Sequence, residues 1–383
     1  MTASQRRLAY AAKLVRAVSL GAIWGAAAAA PAESQFAIDE LVITGGASAE
    51  GYQGNLPAVG VPLRDSVEFV SAATGEVTLL ADASYGAARN GAFRVIFDGG
   101  LRHFSARGFQ LRDYSPREWV GTLDATYSRG ITDGFGIAAG LQLRGRQIDD
   151  RPPMPLFLQP GFRAGRFSAG FDARGPRGVL YDFEVAADGS DFLAPEFAPQ
   201  IRLLNRNVYR AEAGATLNGG SSVLRVFVAG ERSEYPKQVT FDPTDPRRLD
   251  ATVHTGAFWT YQGTYILQLG LEGRANRSNS NRPEYDAITL SGLVSASLPR
   301  DIAFSAYAAL TAKQYLHDTS FARLLPGDEA NSASLAYVSL TRSLAFNLDG
   351  TVRAGWSRAE TEIGGAYYQR FGGSFLLHFR PGL

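Results

Sequence analysis

Near its C-terminus the chain alternates apolar and polar residues almost without a break, and this period of two limits the fold more than any other feature. Phe346, Leu348, Gly350, Val352, Ala354 and Trp356 fall on one side of the first segment, and Asn347, Asp349, Thr351, Arg353, Gly355 and Ser357 on the other. After a break at 360–365, Tyr367, Phe371, Gly373, Phe375, Leu377 and Phe379 share one face, with Tyr368, Arg370, Gly372, Ser374 and His378 opposite. Alternation of this kind is a strand signal, and it outlasts the ~5–6 residues usual in soluble sheets. A tilted strand needs about 9–11 residues to cross a bilayer. The expected fold is all-β: a transmembrane antiparallel up-and-down β-barrel, closed by this hairpin.

The pattern recurs upstream in sets such as Val77, Leu79 and Ala81, then Phe135, Ile137 and Ala139, then Leu267, Leu269 and Leu271. Residues 332–344 read as a strand with either face apolar, so their register stays open. The connections alternate in length. Short ones fall near 88–91, 130–134, 175–178, 218–221, 262–264, 299–301 and 341–344. Long ones fall near 105–117, 147–157, 189–203, 234–248, 275–284, 314–331 and 359–366. Membrane barrels put short turns on the periplasmic side and long loops outside. With both termini periplasmic the strand number is even. The strands from Val77 onward then need one more, at 36–44 in preference to 65–70, for about sixteen in all.

The N-terminus reads differently. Arg6, Arg7, Lys13 and Arg16 precede an apolar run at 17–29, and Ala30, Pro31 and Ala32 supply small residues. Residues 1–32 are expected to be a secretory signal peptide. Residues 33–75 then form an N-terminal periplasmic segment, as a first strand or a small plug, and 76–383 the barrel. Without the four signal cations, 34 Lys+Arg face 37 Asp+Glu, a formal charge of −3. That balance does not point to nucleic acid. The chain has no cysteine, which excludes disulfides and thiolate metal sites. No cofactor is expected.

The second face of each strand is polar and of both signs. The expected lumen lining comprises Arg94, Asp98, Arg102, Asp124, Arg144, Arg146, Arg166, Asp182, Glu184, Arg210, Glu212, Arg225, Glu231, Glu272, Arg274, Lys313, Asp349 and Arg353. A dry interior would require most of these charges to pair, whereas a water-filled lumen hydrates them. At about sixteen strands a barrel is too wide for side chains to fill. Two arrangements are open. Arg94, Arg102, Arg144, Arg146 and Arg166 could build a basic wall facing an acidic one, or the charges could pair across strands and hydrate the wall. The expected membrane-interface aromatics are Trp119, Tyr127, Trp259, Tyr261, Tyr265, Trp356, Tyr367 and Phe379. Trp119 and Tyr127 are eight residues apart on one face, about 26 Å along a strand and ~20 Å of depth after tilt.

With these features the chain resembles bacterial (Gram-negative) outer-membrane β-barrel proteins of the porin-like kind, at the level of architecture. The resemblance implies a place in the outer membrane, contact with its lipid, and delivery by the barrel-assembly machinery. Barrels of that class finish on an outward aromatic, as Phe375, Leu377 and Phe379 do in spacing, although this chain continues through Arg380, Pro381, Gly382 and Leu383. Residues 38–45 look like the opening of a TonB-dependent receptor plug, but there is no room for a full plug and a larger barrel. The final hairpin also looks like the barrel end of surface-lipoprotein assembly modifiers.

Three functions follow in order of preference. The first is a channel for passive diffusion or export of small polar solutes. The second is a translocation or assembly barrel that exports a polysaccharide or lipoprotein, suggested by the apolar residues Phe192, Leu193, Ala194, Phe197, Ile201, Leu203 and Leu204 and by the loop at 321–325. The third is an outer-membrane hydrolase. It is disfavoured because His103, His254, His317 and His378 lie in no Ser/His or acidic motif. A homo-oligomer stays open, since the outward faces show no flat interface separable from the lipid belt.

Overall fold

The computed structural model describes residues 35–54, 68–87, 91–107, 117–149, 161–194, 199–240, 247–280, 284–316, 334–360 and 367–382. The first eight strands are β1 (Gln35–Gly54), β2 (Glu68–Ala87), β3 (Gly91–Arg107), β4 (Arg117–Thr132), β5 (Phe135–Asp149), β6 (Phe162–Arg174), β7 (Leu180–Phe192) and β8 (Arg206–Gly219). The second eight are β9 (Ser222–Val239), β10 (Arg247–Gln262), β11 (Tyr265–Ser278), β12 (Tyr285–Leu298), β13 (Ile302–Tyr315), β14 (Ser334–Ala345), β15 (Leu348–Glu360) and β16 (Tyr367–Phe379). Each strand pairs with its sequence neighbours, and β1 pairs with β16 to close a barrel of sixteen strands. The closing seam is antiparallel from Ile43 opposite Phe379 to Gly54 opposite Tyr368.

Closure gives every strand a neighbour on both sides, the condition under which strands can cross lipid. The outer face carries the apolar set. Val77, Phe167, Val253, Ile288, Leu290 and Val352 are each more than half exposed, an arrangement only a lipid solvent stabilises over so large an area. No helix among the described residues is long and apolar enough to cross a membrane. The short turns include Asp133–Gly134, Gly220–Ser221 and Phe346–Asn347, and Gly220 and Asn347 adopt the left-handed conformation that lets a tight turn reverse the chain.

Several sequence expectations need correction. The first strand preferred at 36–44 is present but runs through Gln35–Gly54, which removes the plug alternative for those residues, and β2 starts at Glu68 rather than near residue 76. In β1 the register shifts between Ile38 and Glu40. This bulge at Asp39 keeps both Phe36 and Ile38 and the later Leu41 and Ile43 on the outer face, although their sequence parity differs. Strand β14 continues through the segment expected to turn at 341–344 and reverses at Phe346–Asn347, which leaves Phe346 in the turn and outside the hairpin ladder. Its register is now fixed, with Ala336, Val338 and Leu340 outward and Tyr337, Ser339 and Thr341 inward. Strands β9 and β11 run beyond their expected ends at 234 and 275, to Val239 and Ser278. The 1–32 segment and the loop at 321–325 lie outside the described residues.

Candidate functional site: the inner wall

Parity and register put Arg94, Asp98 and Arg102 on the inner face of β3, and Asp124, Arg144, Arg146, Arg166, Asp182 and Glu184 on that of β4 to β7. Arg210, Glu212, Arg225, Glu231, Glu272, Arg274, Lys313, Asp349 and Arg353 continue the same face around the barrel. Two ion pairs reach over an intervening strand: Arg144 to Asp188 across β6 at 2.7 Å, and Arg225 to Asp182 across β8 at 3.0 Å. A concave surface brings alternate strands together in this way.

Neutralisation is local. Arg94 donates through Nε to Asp82 Oδ1 at 2.9 Å, and Arg102 reaches Glu76 at 3.0 Å and Glu118 at 3.7 Å. Arg146 pairs with the same Glu118, and Arg166 with Glu184. Arg225 bridges Asp182 and Glu212, the latter at 2.8 Å, and Arg210 holds the other oxygen of Glu212. The arginines that could have formed a basic wall therefore each face a carboxylate, and cross-strand pairing is the arrangement present. Asp124 accepts from Gln142 at 2.6 Å, Glu231 from Ser233 at 3.2 Å, and Glu272 contacts His254 Nε2 at 2.7 Å. Asp349 pairs with Arg380 at the periplasmic end. Two glycines make room for carboxylates: a Cβ on Gly214 would lie 2.6 Å from Asp182 Oδ1, and one on Gly136 2.6 Å from Asp172 Oδ1.

The sequence reading missed the acidic partners Glu76, Asp82, Glu118 and Asp188. The parity signal was available for each, since Asp82 alternates against Val77, Leu79 and Ala81. It also missed the inward aromatics. Tyr307 and Tyr337 are direct register partners with ring centroids 5.6 Å apart, the Arg353 guanidinium lies 5.2 Å from the Tyr337 ring, and Lys313 sits over Tyr285 at 4.2 Å and Tyr315 at 4.8 Å.

At the extracellular mouth the wall is tied together. The buried Arg248 forks onto Asp250, contacting Oδ1 at 3.0 Å and Oδ2 at 2.5 Å, donates to Gln238 at 3.2 Å, and lies over the Tyr235 ring at 4.2 Å. Gln238 in turn donates to the Leu203 carbonyl at 2.6 Å. This anchors the short 3₁₀ segment Pro199–Leu204, whose Ile201 and Leu204 are buried against Phe192 and Ala194. The apolar run expected to offer a partner surface thus packs, in these residues, on the barrel's own rim, and Leu203 stays exposed.

On the outer face Trp119 and Tyr127 stand toward opposite ends of β4 and are exposed, and Trp259 and Tyr265 are exposed near the β10–β11 turn, where the Tyr261 and Tyr265 rings are 5.3 Å apart. Trp356 sits in the upper half of β15 with Nε1 3.4 Å from Gln369. Phe379 ends β16, exposed between Ile43 and Leu348. Tyr367 opens β16 in the backbone, and its side chain is outside the described set. Among the described residues no group of His, Asp and Glu has the arrangement of a metal site.

No family model matches the chain, and no curated protein sequence does. Among solved structures, Pseudomonas aeruginosa OccK7 (OpdD) is 10% identical with a TM-score of 0.46, covering 91% of this chain and 99% of its own. A bacterial polysaccharide outer membrane secretin is 12% identical with a TM-score of 0.40, covering 90% and 99%. The TodX deltaS2S3 mutant monoaromatic hydrocarbon channel is 10% identical with a TM-score of 0.38, covering 90% and 91%. At these values the likeness carries no weight for solute or mechanism, which must come from this chain's own residues. By its closed sheet, its lipid-facing apolar belt and its charged interior, the chain has the architecture of a sixteen-stranded transmembrane β-barrel.

Proposed function

We propose that the barrel is a passive channel for small polar solutes, lined by the inward residues named above. The observation that carries this reading is a polar inner face on a closed sheet of sixteen strands, a perimeter too large for side chains to fill. The ion pairs on the wall are partly exposed, as with Arg166 and Glu184 at 35% and 45%, so they behave as hydrated surface charges rather than a dry core. Because most lining arginines have a carboxylate neighbour, the channel discriminates weakly by charge. The export reading loses support where its apolar loop is engaged: Ile201 and Leu204 are committed to the rim and do not form a free docking patch.

Liposome swelling tests the proposal. Proteoliposomes holding the refolded barrel should admit small uncharged polyols and amino acids at rates that fall smoothly with solute size and change little with charge. Vesicles that stay as tight as protein-free controls would refute it, and entry only after removal of an extracellular loop would point to a gated export barrel.

A further inference from the structure

The inner wall is chemically divided. From β3 to β11 it is dense in ion pairs, whereas β12 and β14 present no inward charge among their described residues. Their inward positions are hydroxyls, tyrosines, Ala287 and two leucines, Leu293 opposite Tyr307 and Leu335 opposite Ala309. Inward charges on the strands around them sit mainly toward the ends: Lys313 and Arg370 at the extracellular end, and Asp349 at the periplasmic end, where it is paired with Arg380. Arg353 on β15 and Glu272 on β11 are the mid-depth exceptions: the Arg353 guanidinium lies against the Tyr337 ring, and Glu272, opposite Thr289, is engaged by His254 at 2.7 Å.

At the centre of this arc Tyr307 and Tyr337 face each other across β13 and β14, with ring planes inclined by 33°. Both rings are half-buried, and neither hydroxyl makes a hydrogen bond with another described residue. Around them the hydroxyls meet in cross-strand pairs, Thr289 with Thr311 at 2.9 Å and Thr341 with Thr351 at 2.8 Å. The Thr289–Thr311 pair is half-buried and keeps spare lone pairs, since a hydroxyl offers one donor and two acceptors, whereas Thr351 is buried and also bonded to His378 at 3.0 Å.

We propose that this tyrosine and hydroxyl arc of β12–β15 is a recognition surface for uncharged polyhydroxylated solutes of the saccharide class, with the Tyr307–Tyr337 pair as its stacking platform. The inference rests on the channel reading and names its preferred cargo. A saccharide ring has an apolar C–H face that packs on an aromatic ring and hydroxyls at its edge that need hydrogen-bond partners. The arc offers both within one patch, together with the Arg353 donor fork beside Tyr337. A charged solute finds little here: the carboxylate at the edge of the arc, Glu272, is already engaged by His254 at 2.7 Å, and binding an anion would pull the Arg353 guanidinium off its aromatic face. On the opposite arc a charged solute must compete with carboxylates and arginines already paired. A neutral polyol avoids both costs, so weak and reversible binding suits a route that must also release its cargo.

The test is saturable current block in a planar bilayer, with maltotriose as probe and a polyethylene glycol of similar size as control. The wild-type barrel should lose current with maltotriose along a saturating curve, and with the polymer only in proportion to excluded volume. Tyr307→Ala and Tyr337→Ala should each weaken apparent maltotriose affinity about fivefold or more, leaving salt conductance equal or higher, while Tyr307→Phe, which keeps the ring, retains most of it. Refolding of each variant is checked by heat-dependent gel mobility, and Tyr307→Phe serves as the conservative control. A barrel that conducts salt but shows no saturable block, or whose block ignores both alanine variants, overturns the inference and leaves the channel standing. A folded barrel that conducts nothing and admits no solute overturns both.

Discussion

Replacing Arg248 with Gln should damage the barrel far more than the same change at Arg166, although both arginines pair with an acid on the inner wall. The difference is burial. The Arg248 and Asp250 side chains are 6% and 5% exposed, against 35% and 45% for Arg166 and Glu184. Removing one member of a buried pair strands the other charge and costs about 3–5 kcal/mol, while an exposed pair contributes about 0–1 kcal/mol. Ser278 still donates to Asp250 Oδ1 at 2.6 Å, so the lower end applies, about 3 kcal/mol, or roughly a hundredfold in the folding equilibrium. Urea titration of folding into lipid vesicles, followed by heat-dependent gel mobility, reads the loss. Arg248→Gln should shift the midpoint strongly and Arg166→Gln barely. Adding Asp250→Asn to Arg248→Gln should recover much of the deficit, because the stranded charge is gone. The variant should also loosen Pro199–Leu204, whose Leu203 carbonyl is held by Gln238, and so raise open-channel current noise. Equal shifts for the two single variants, or no recovery in the double, would refute the reasoning.

Other expected outcomes are more local. Leu290→Arg, on the outer face between Leu271 and Leu310, should cost about 2–4 kcal/mol in the same titration, whereas Thr289→Arg, one residue away on the inner face, should cost much less. Arg225→Gln leaves Asp182 without its arginine and should shift the reversal potential toward cation preference, while the paired change Arg94→Gln with Asp82→Asn should leave it unmoved. Gly214→Ala pushes a Cβ to 2.6 Å from Asp182 Oδ1; the flexible carboxylate should swing away from Arg225 with little loss of stability and a reversal-potential shift in the direction of Arg225→Gln. Phe379→Ala should slow membrane assembly in cells more than refolding in detergent, if this strand-ending aromatic is what the assembly machinery reads.

Outer and inner faces were legible wherever the strand ladder is regular, because parity alone assigns them. The expectation failed where the backbone breaks that rule. At Asp39 a bulge inverts the parity between Ile38 and Leu41, so a scan for strict alternation loses β1 partway along. A second irregularity between Ser343 and Ala345 disguised the end of β14 as an early turn. The start of β2 was hidden differently, since Ser71, Ala72, Ala73, Thr74 and Gly75 are small on both faces and carry no amplitude. On the inner wall, parity could assign a face to Arg102 but could not choose between Glu76 and Glu118, which depends on strand stagger and side-chain reach. The run from Phe192 to Leu204 posed another problem: apolar loop residues look alike in sequence whether they await a partner or cover their own rim.

Single-channel recording of the refolded wild-type barrel in a planar bilayer tests the central claim most directly. A water-filled lumen with mostly paired wall charges should give long-lived ohmic openings and a reversal potential near zero under a salt gradient. A correctly folded barrel that inserts yet passes no current would contradict that account.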